Sequence, residues 1–232
     1  MSIAEKLTTI AENQQKVYDA GYAAGQAEGG GGIDLSIPAT TYRLENLNTI
    51  GAKEVVFNFE NIKSLASFFH ITNTTGYVEN TTVEHITINC GKQIASCGTM
   101  LYINGVIGDN KLKRLTLNAD TSKASFSNMT AFMYALEVVD GTPLDLSSAG
   151  NVNRMLYKSE KMREIRFVAG SIKGNISFVD TAVLSAESIQ SIIDGLADLT
   201  GSETKTLTLH ASIVLTDEQK ATIAAKNWTL VQ

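Results

Sequence analysis

The sequence predicts an α/β solenoid, in which short parallel strands are joined by helical or loop connectors, preceded by a short coiled-coil helix. Three observations predict this class. An L-x-x-L-x-L frame, seen in KLKRLTLNAD at residues 111–120, recurs along much of the chain. Two helical patterns lie near the C-terminal end. Four consecutive glycines, Gly29 to Gly32, separate the repeating region from an N-terminal heptad pattern.

The recurring frame predicts one short strand per repeat. The other segments that share it are 52–57, 83–88, a frame through Met133, Leu136 and Val138, 162–167, and a segment that ends at Leu209. Their fourth-position residues are 31, 29, 21, 29 and 42 residues apart, and these are Val55, Ile86, Leu115, Leu136, Ile165 and Leu207. Periods of about 20 to 29 residues are typical of leucine-rich repeats. The last interval indicates a degenerate turn around 175–180 or an inserted helix, and WTLV at 228–231 predicts a final strand.

Two connectors near the C-terminus carry helix signals. In SAESIQSIIDGLADLT, Ser185 is placed as an N-cap and Glu187 lies in the first turn. The apolar face of this helix consists of Ile189, Ile192, Ile193, Leu196 and Leu199. In LTDEQKATIAAKNW, Thr216 and Gln219 have the spacing of a capping box. Residues from about 185 to 232 are therefore predicted to form a strand-and-helix cap, as terminal repeats commonly do.

The N-terminal segment predicts a helix that associates with copies of itself. Its apolar and small residues alternate at steps of four and three, as in a coiled-coil seam. The predicted oligomerisation residues are Ile3, Leu7, Ile10, Gln14 and Val17. Dimer and trimer both fit this pattern, and packing of the helix on its own domain is the alternative. The predicted organisation is an oligomerising helix at 1–28, a glycine linker at 29–32 and a repeat domain at 33–232.

Composition excludes several classes of partner. The net charge of -5 argues against nucleic acid, which proteins usually bind with strongly basic surfaces. No window approaches the roughly 18 to 20 apolar residues that a membrane-spanning helix needs. The N-terminal sequence has no signal-peptide pattern, and no membrane insertion is expected. Two cysteines, Cys90 and Cys97, are too few for a disulfide framework, and we expect reduced, partly buried thiols rather than a bridge.

The sequence predicts no catalytic, cofactor-binding or metal site, and hence no enzyme. His70, His85 and His210 are isolated, and no metal-ligand spacing accompanies them. No phosphate-binding loop, nucleophile elbow or zinc-protease motif is present. Asp140 and Asp145 flank a GTPL segment, where the preference of Asp for turns explains both better than an acid/base pair does.

Residues that alternate with the core positions predict an open sheet face. One column is Val56, Thr87, Thr116, Glu137, Arg166 and Thr208, and the other is Asn58, Asn89, Asn118, Val139, Val168 and His210. The simpler interpretation is a polar, solvated face. The functional interpretation is an extended recognition surface whose amides and hydroxyls suit a glycan or a protein. The candidate binding residues are Asn58, Thr87, Asn89, Thr116, Asn118 and Arg166.

Two resemblances extend these predictions. The segment FSNMTAFMYALEVVDGTPLDLSSAGNVNRMLYKSEKMREIRF resembles the BspA-like class of leucine-rich repeats, through Phe126, Phe132 and Leu136 in one turn and Met155, Met162 and Ile165 in the next. The segment KVYDAGYAAGQAEGGGG is similar to the leader of structural and tail-associated proteins of bacteriophages and prophages, in which a short helix and a glycine joint precede a surface-binding domain.

The resemblances imply a non-enzymatic virion protein associated with the tail or baseplate. Its repeat domain would contact a host surface protein or glycan, as in receptor binding, or another virion protein. It would assemble in the bacterial cytoplasm and be carried on the phage particle. The alternative is a bacterial leucine-rich-repeat interaction module that has no association with a virion.

Overall fold

The computed structural model describes residues 53–59, 62–66, 68–72, 83–104, 111–149, 152 and 154–232. The glycine linker and the predicted N-terminal helix, with Ile3, Leu7, Ile10, Gln14 and Val17, lie outside the described residues. Within the described part of the chain, no helix is long and apolar enough to cross a membrane.

The described residues form parallel sheets with few helices, an arrangement compatible with an α/β fold. The strands are β1 Glu54–Phe59, β2 Phe69–Thr72, β3 His85–Cys90, β4 Leu101–Asn104, β5 Arg114–Asn118, β6 Val138–Gly141, β7 Ile176–Phe178, β8 Lys205–Leu209 and β9 Trp228–Val231. The helices are α1 Ala186–Gly195 and α2 Asp217–Ala225. One sheet has the order β1-β3-β5-β6, a second pairs β2 with β4, and a third has the order β7-β8-β9. Every strand pair in these sheets is parallel.

Buried and half-buried side chains alternate along the strands of the first sheet. In β1 the side chains of Val55, Phe57 and Phe59 are buried, whereas the residues between them are half-buried. Val55 pairs with Ile86 of β3, which pairs with Leu115 of β5, as the recurring frame predicts. Because successive side chains of a strand point to opposite faces, one face of the sheet lies on the core and the other is open.

The frame predicted for the fourth strand is wrong by three residues. Leu115 pairs with Val139, not with Leu136, and Thr116 pairs with Asp140, not with Glu137. Leu136 instead donates its N–H to the carbonyl of Met133, in a turn that precedes β6. Val139, which the sequence placed on the open face, is buried in the core. The apolar pattern could not fix this register, because both alternatives bury a large side chain.

The strand predicted at 162–167 is also wrong. Only isolated bridges form there, at Glu164 and Phe167. The N–H groups of Ile165 and Phe167 donate to the hydroxyls of Ser188 and Ser191, at 3.0 and 2.9 Å. Serine side chains of α1 therefore take the place of a neighbouring strand.

The last segment of the predicted series belongs to another sheet. Leu207 lies in β8, which pairs with β7 and β9 and not with the Leu115 ladder. The interval of 42 residues contains an inserted helix, α1, and the segment 175–180 forms a strand, β7. Thr208 and His210 are consequently separated from the open face to which the sequence assigned them, because β8 is not a member of the first sheet.

Both predicted helix starts and their caps are confirmed, but α1 ends at Gly195, so Leu196 and Leu199 lie beyond the helix and not on its predicted apolar face. The Ser185 hydroxyl accepts the N–H of Ser188 at the start of α1. Thr216 and Gln219 form both hydrogen bonds of a capping box at the start of α2. Leu196, next to α1, is fully buried, and the predicted strand at 228–231 is present as β9.

Backbone hydrogen bonds besides those of the strand ladders join successive segments of the described chain. Cys97 donates its N–H to Ser125 at 2.8 Å, and Leu101 donates to Met129 at 2.7 Å. Thr130 in turn donates to Met155 at 2.9 Å. The apolar side chains of these segments belong to one buried cluster that extends from Val55 to Trp228.

Candidate binding face

The open side of β1, β3, β5 and β6 carries a set of polar side chains in register, which we call the polar face. It is defined by Glu54, Asn58, His85, Thr87, Asn89, Arg114, Thr116, Asn118 and Asp140. Equivalent residues of parallel strands lie side by side, so residues far apart in sequence become neighbours across the sheet.

Three asparagines form a hydrogen-bonded ladder across the polar face. Asn89 donates from Nδ2 to Oδ1 of Asn58 at 2.7 Å. Asn118 donates from Nδ2 to Oδ1 of Asn89, also at 2.7 Å. These partners are 31 and 29 residues apart in sequence. Each amide thus fixes the orientation of its neighbour.

A second set of contacts connects the four strands through His85. Its Nδ1 lies 2.7 Å from Oε1 of Glu54, and its Nε2 lies 2.9 Å from the Thr116 hydroxyl. The Thr87 hydroxyl is farther away, at 3.3 Å from the same nitrogen. Thr116 donates to Oδ1 of Asp140 at 2.6 Å.

The direction of one hydrogen bond in this set follows from the number of donors. A threonine hydroxyl has one hydrogen, and Thr116 gives it to Asp140. The contact between Thr116 and His85 is therefore a hydrogen bond only when Nε2 carries a proton.

Arg114 and Asp140 form an ion pair at one end of this set of contacts. The Nε of Arg114 donates to Oδ2 of Asp140 at 3.0 Å, and its Nη2 contacts the same oxygen. Partial burial works to raise the pKa of Asp140, but hydrogen bonds from Arg114 and Thr116 and the positive charge of Arg114 outweigh it. The pKa of Asp140 therefore lies below its ordinary value, and the carboxylate is ionised.

The structure gives different roles to Asp140 and Asp145, the two aspartates that the sequence assigned to a turn. Asp145 is confirmed as a turn residue, because its side chain accepts the N–H of Ser147 at 2.8 Å. Asp140 is not, since its carboxylate faces Arg114 and Thr116 on the sheet. The sequence did not indicate this role, because the predicted register of β6 placed Glu137 and not Asp140 beside Thr116.

Five of the six candidate binding residues lie on the polar face. The structure places Asn58, Asn89 and Asn118 in the ladder, and both Thr87 and Thr116 beside His85. Arg166 is exposed and lies outside the four strands. The sequence missed Glu54, Arg114 and Asp140, whose roles depend on the pairing of strands.

The cysteines are unbridged, and their thiols are held protonated. Burial raises the pKa of Cys90 to about 12, and it raises the pKa of the fully buried Cys97 as well. A protonated thiol is a poor nucleophile and a poor metal ligand. Among the residues that the structure describes, no three His, Cys, Asp or Glu side chains are grouped so as to hold a metal ion.

Comparison with known proteins returns no relative. No family model matches the chain, and neither a curated protein nor a solved structure matches it.

Proposed function

We propose that this protein is a non-enzymatic structural protein of a phage or prophage virion, associated with the tail or baseplate. In this proposal the described strands belong to an irregular, BspA-like leucine-rich-repeat solenoid. Its polar face contacts a host surface or a neighbouring virion protein. The N-terminal helix, with Ile3, Leu7, Ile10, Gln14 and Val17 in its seam, joins two or three copies during assembly in the bacterial cytoplasm.

The solenoid part of the proposal is supported by hydrogen bonds between successive segments. Val55, Ile86 and Leu115 pair in one ladder at intervals of 31 and 29 residues. Backbone hydrogen bonds also join successive segments outside this ladder, for example between Cys97 and Ser125. Recurrence of the same contacts in consecutive repeats, with one shared core, is the pattern expected of stacked repeats.

The recognition part rests on one observation, the hydrogen-bonded order of the polar face. Amides and hydroxyls on a sheet usually lose side-chain freedom when a partner binds. Here the asparagine ladder and the contacts of His85 already hold these groups in place. A partner that reads amide and hydroxyl groups would therefore meet a preorganised surface.

The chemistry of the face supports a non-enzymatic role. Glu54, His85 and Thr116 lie in the order carboxylate, imidazole, hydroxyl, which is the order of a catalytic triad. In such a triad the hydroxyl gives its proton to the imidazole, whereas Thr116 donates to Asp140. The imidazole is thus not placed to act as a base toward Thr116.

The assembly part is tested by the absolute mass of the full chain, measured by light scattering on a sizing column. We expect a dimer or trimer. The double variant L7E/I10E should be a monomer because it places charges in the seam. The matched variant T8E/T9E adds the same charge outside the seam and should keep the oligomer.

A monomeric full chain would contradict the coiled-coil part and favour the bacterial interaction module. The virion part has its own test, in which phage particles from cells that carry the gene are purified on a density gradient. We expect the protein to sediment with the particles, as detected by mass spectrometry. Its absence from particles that contain the other tail proteins would contradict a virion role.

A further inference from the structure

A cavity of about 310 Å³ opens on β7 and β8, in a different sheet from the polar face. Its lining combines residues that precede β7 with residues of the two strands. The lining residues are Val152, Arg154, Asn175, Ile176, Ser177, Thr206 and Thr208. This volume is at the lower end of the range for small-molecule sites, which suits a ligand of monosaccharide size.

Strand register places the hydroxyls of the cavity side by side. Ser177 of β7 pairs with Thr208 of β8, and Thr206 lies two residues earlier on the same side of β8. Asn175 accepts the backbone N–H of Thr206 with Oδ1 at 2.8 Å. That hydrogen bond orients the amide, so Nδ2 of Asn175 remains to serve as a donor. The cavity thus presents hydroxyl and amide groups from two adjacent strands.

Among the described residues that line the cavity, Arg154 alone is charged. Its guanidinium carbon lies 5.2 Å from the centre of the Tyr157 ring, a cation–π contact that restrains the side chain. The residue has a backbone φ of 54°, and its carbonyl accepts the N–H of Tyr157 at 3.1 Å. Among the described residues, no acidic side chain forms a salt bridge with Arg154.

We propose that this cavity binds a saccharide that carries a carboxylate, of the hexuronate type. Arg154 pairs with the carboxylate, because a guanidinium matches its two oxygens with parallel N–H groups. Ser177, Thr206 and Thr208, with the amide of Asn175, bond the ring hydroxyls. An acidic peptide is the poorer match, since the described lining has four neutral polar side chains beside one cation and only two apolar residues. This proposal does not depend on the proposal that the protein is part of a virion.

The test uses the full chain and two probes, methyl β-glucuronide and its neutral counterpart methyl β-glucoside. Saturation-transfer NMR titrations should show binding of the glucuronide with a dissociation constant on the order of 1 mM. The glucoside should bind at least about tenfold more weakly, because loss of a charge-assisted hydrogen bond costs that much or more.

Variants separate this cavity from other cationic positions. Arg154→Gln should weaken glucuronide binding about tenfold or more, and Arg154→Lys by less, because it keeps the charge but loses the planar fork. Arg163→Gln is the matched control, an exposed arginine that does not line the cavity, and should leave binding unchanged. Thr208→Val tests the hydroxyl row independently and should weaken both probes several-fold.

Three results would overturn the proposal. They are equal affinity for the two probes, unchanged glucuronide binding in a folded Arg154→Gln variant, and no saturation transfer with 20 mM glucuronide, roughly twenty times the expected dissociation constant. Circular dichroism establishes whether each variant is folded. If Arg154→Gln is not folded, unchanged binding in Thr208→Val overturns it instead.

Discussion

The hydroxyl of Ser188 donates to the carbonyl oxygen of Arg163 at 3.0 Å, and this contact joins helix α1 to the segment that lies beside β6. The same hydroxyl accepts the N–H of Ile165. The side chain of Ser188, in the first turn of α1, therefore makes two hydrogen bonds to the backbone of this segment. A further strand of the sheet would otherwise have made them.

The first prediction concerns this serine. Ser188→Ala leaves the N–H of Ile165 without its partner in a buried position, and should lower the free energy of unfolding by about 2 kcal/mol. The control is Ser171→Ala. Among the described residues, the buried Ser171 hydroxyl has no hydrogen-bond partner, so its removal should be neutral or stabilising by up to about 1 kcal/mol. Urea denaturation of both variants measures the difference, and equal losses would contradict the assigned role.

The second prediction concerns the acid dependence of stability. The pKa of Asp140 is lowered in the folded protein, so its contribution is present above the pKa of the unfolded chain and is lost as pH falls through the folded pKa. Asp140→Asn should lower stability at pH 6, by less than about 1 kcal/mol because Arg114 and Asp140 are partly solvated. The difference should shrink steadily between about pH 5 and pH 3. A difference that is constant with pH, in urea melts at each pH, would show that the charge of Asp140 is not responsible.

The third prediction separates two costs of replacing glycine. Gly141 has φ +94°, and an added Cβ would lie 2.5 Å from the Leu117 carbonyl oxygen and 2.7 Å from Oδ1 of Asn118. Gly170 has φ +68° and no atom within 4 Å of such a Cβ. Gly170→Ala should cost about 1 kcal/mol through its backbone alone. Gly141→Ala should cost at least about 2 kcal/mol more, since it also meets backbone and the asparagine ladder. Thermal unfolding of the two variants provides the comparison, and similar losses would rule out the steric contribution.

The fourth prediction concerns the C-terminal end of α1. The ammonium group of Lys226 donates to the carbonyls of Ile193, Asp194 and Leu196 at 2.9, 3.2 and 2.8 Å. Lys226→Met should lower the free energy of unfolding by about 2 kcal/mol and speed amide exchange in the last turn of α1. Lys220→Met removes an exposed lysine whose nearest carboxylate, at 3.8 Å on Asp217, is fully exposed, and should change stability by less than about 0.5 kcal/mol. Equal effects of the two substitutions would exclude a capping role for Lys226.

Local signals predicted the elements that depend on neighbouring residues. Ser185 and Thr216 marked both helix starts, and the recurring frame found β1, β3 and β5 with their register. The register of β6 could not be predicted, since Leu136 and Val139 are equally apolar and both are buried. Which one pairs with Leu115 depends on the length of the preceding turn.

The residues of the polar face could be predicted only where they occupy equivalent positions of the recurring frame. The frame aligned the three asparagines because they occupy equivalent positions in confirmed strands. The pairing of Glu54 with His85 and of Arg114 with Asp140 depends on side-chain reach across strands, which no local pattern encodes. The cavity at Arg154 requires a third segment of chain to lie against β7 and β8, and the sequence carries no signal for that approach.

The ionic groups of the polar face have a kinetic consequence. Two carboxylates, Glu54 and Asp140, stand against the guanidinium of Arg114 and the imidazole of His85. The charges of Arg114 and Asp140 cancel within a few side-chain lengths, and the amides and hydroxyls around them are uncharged, so the long-range field of these groups is small. A partner should then reach the face by unsteered diffusion, with association rates of about 10⁵ to 10⁶ M⁻¹ s⁻¹ that change little with ionic strength.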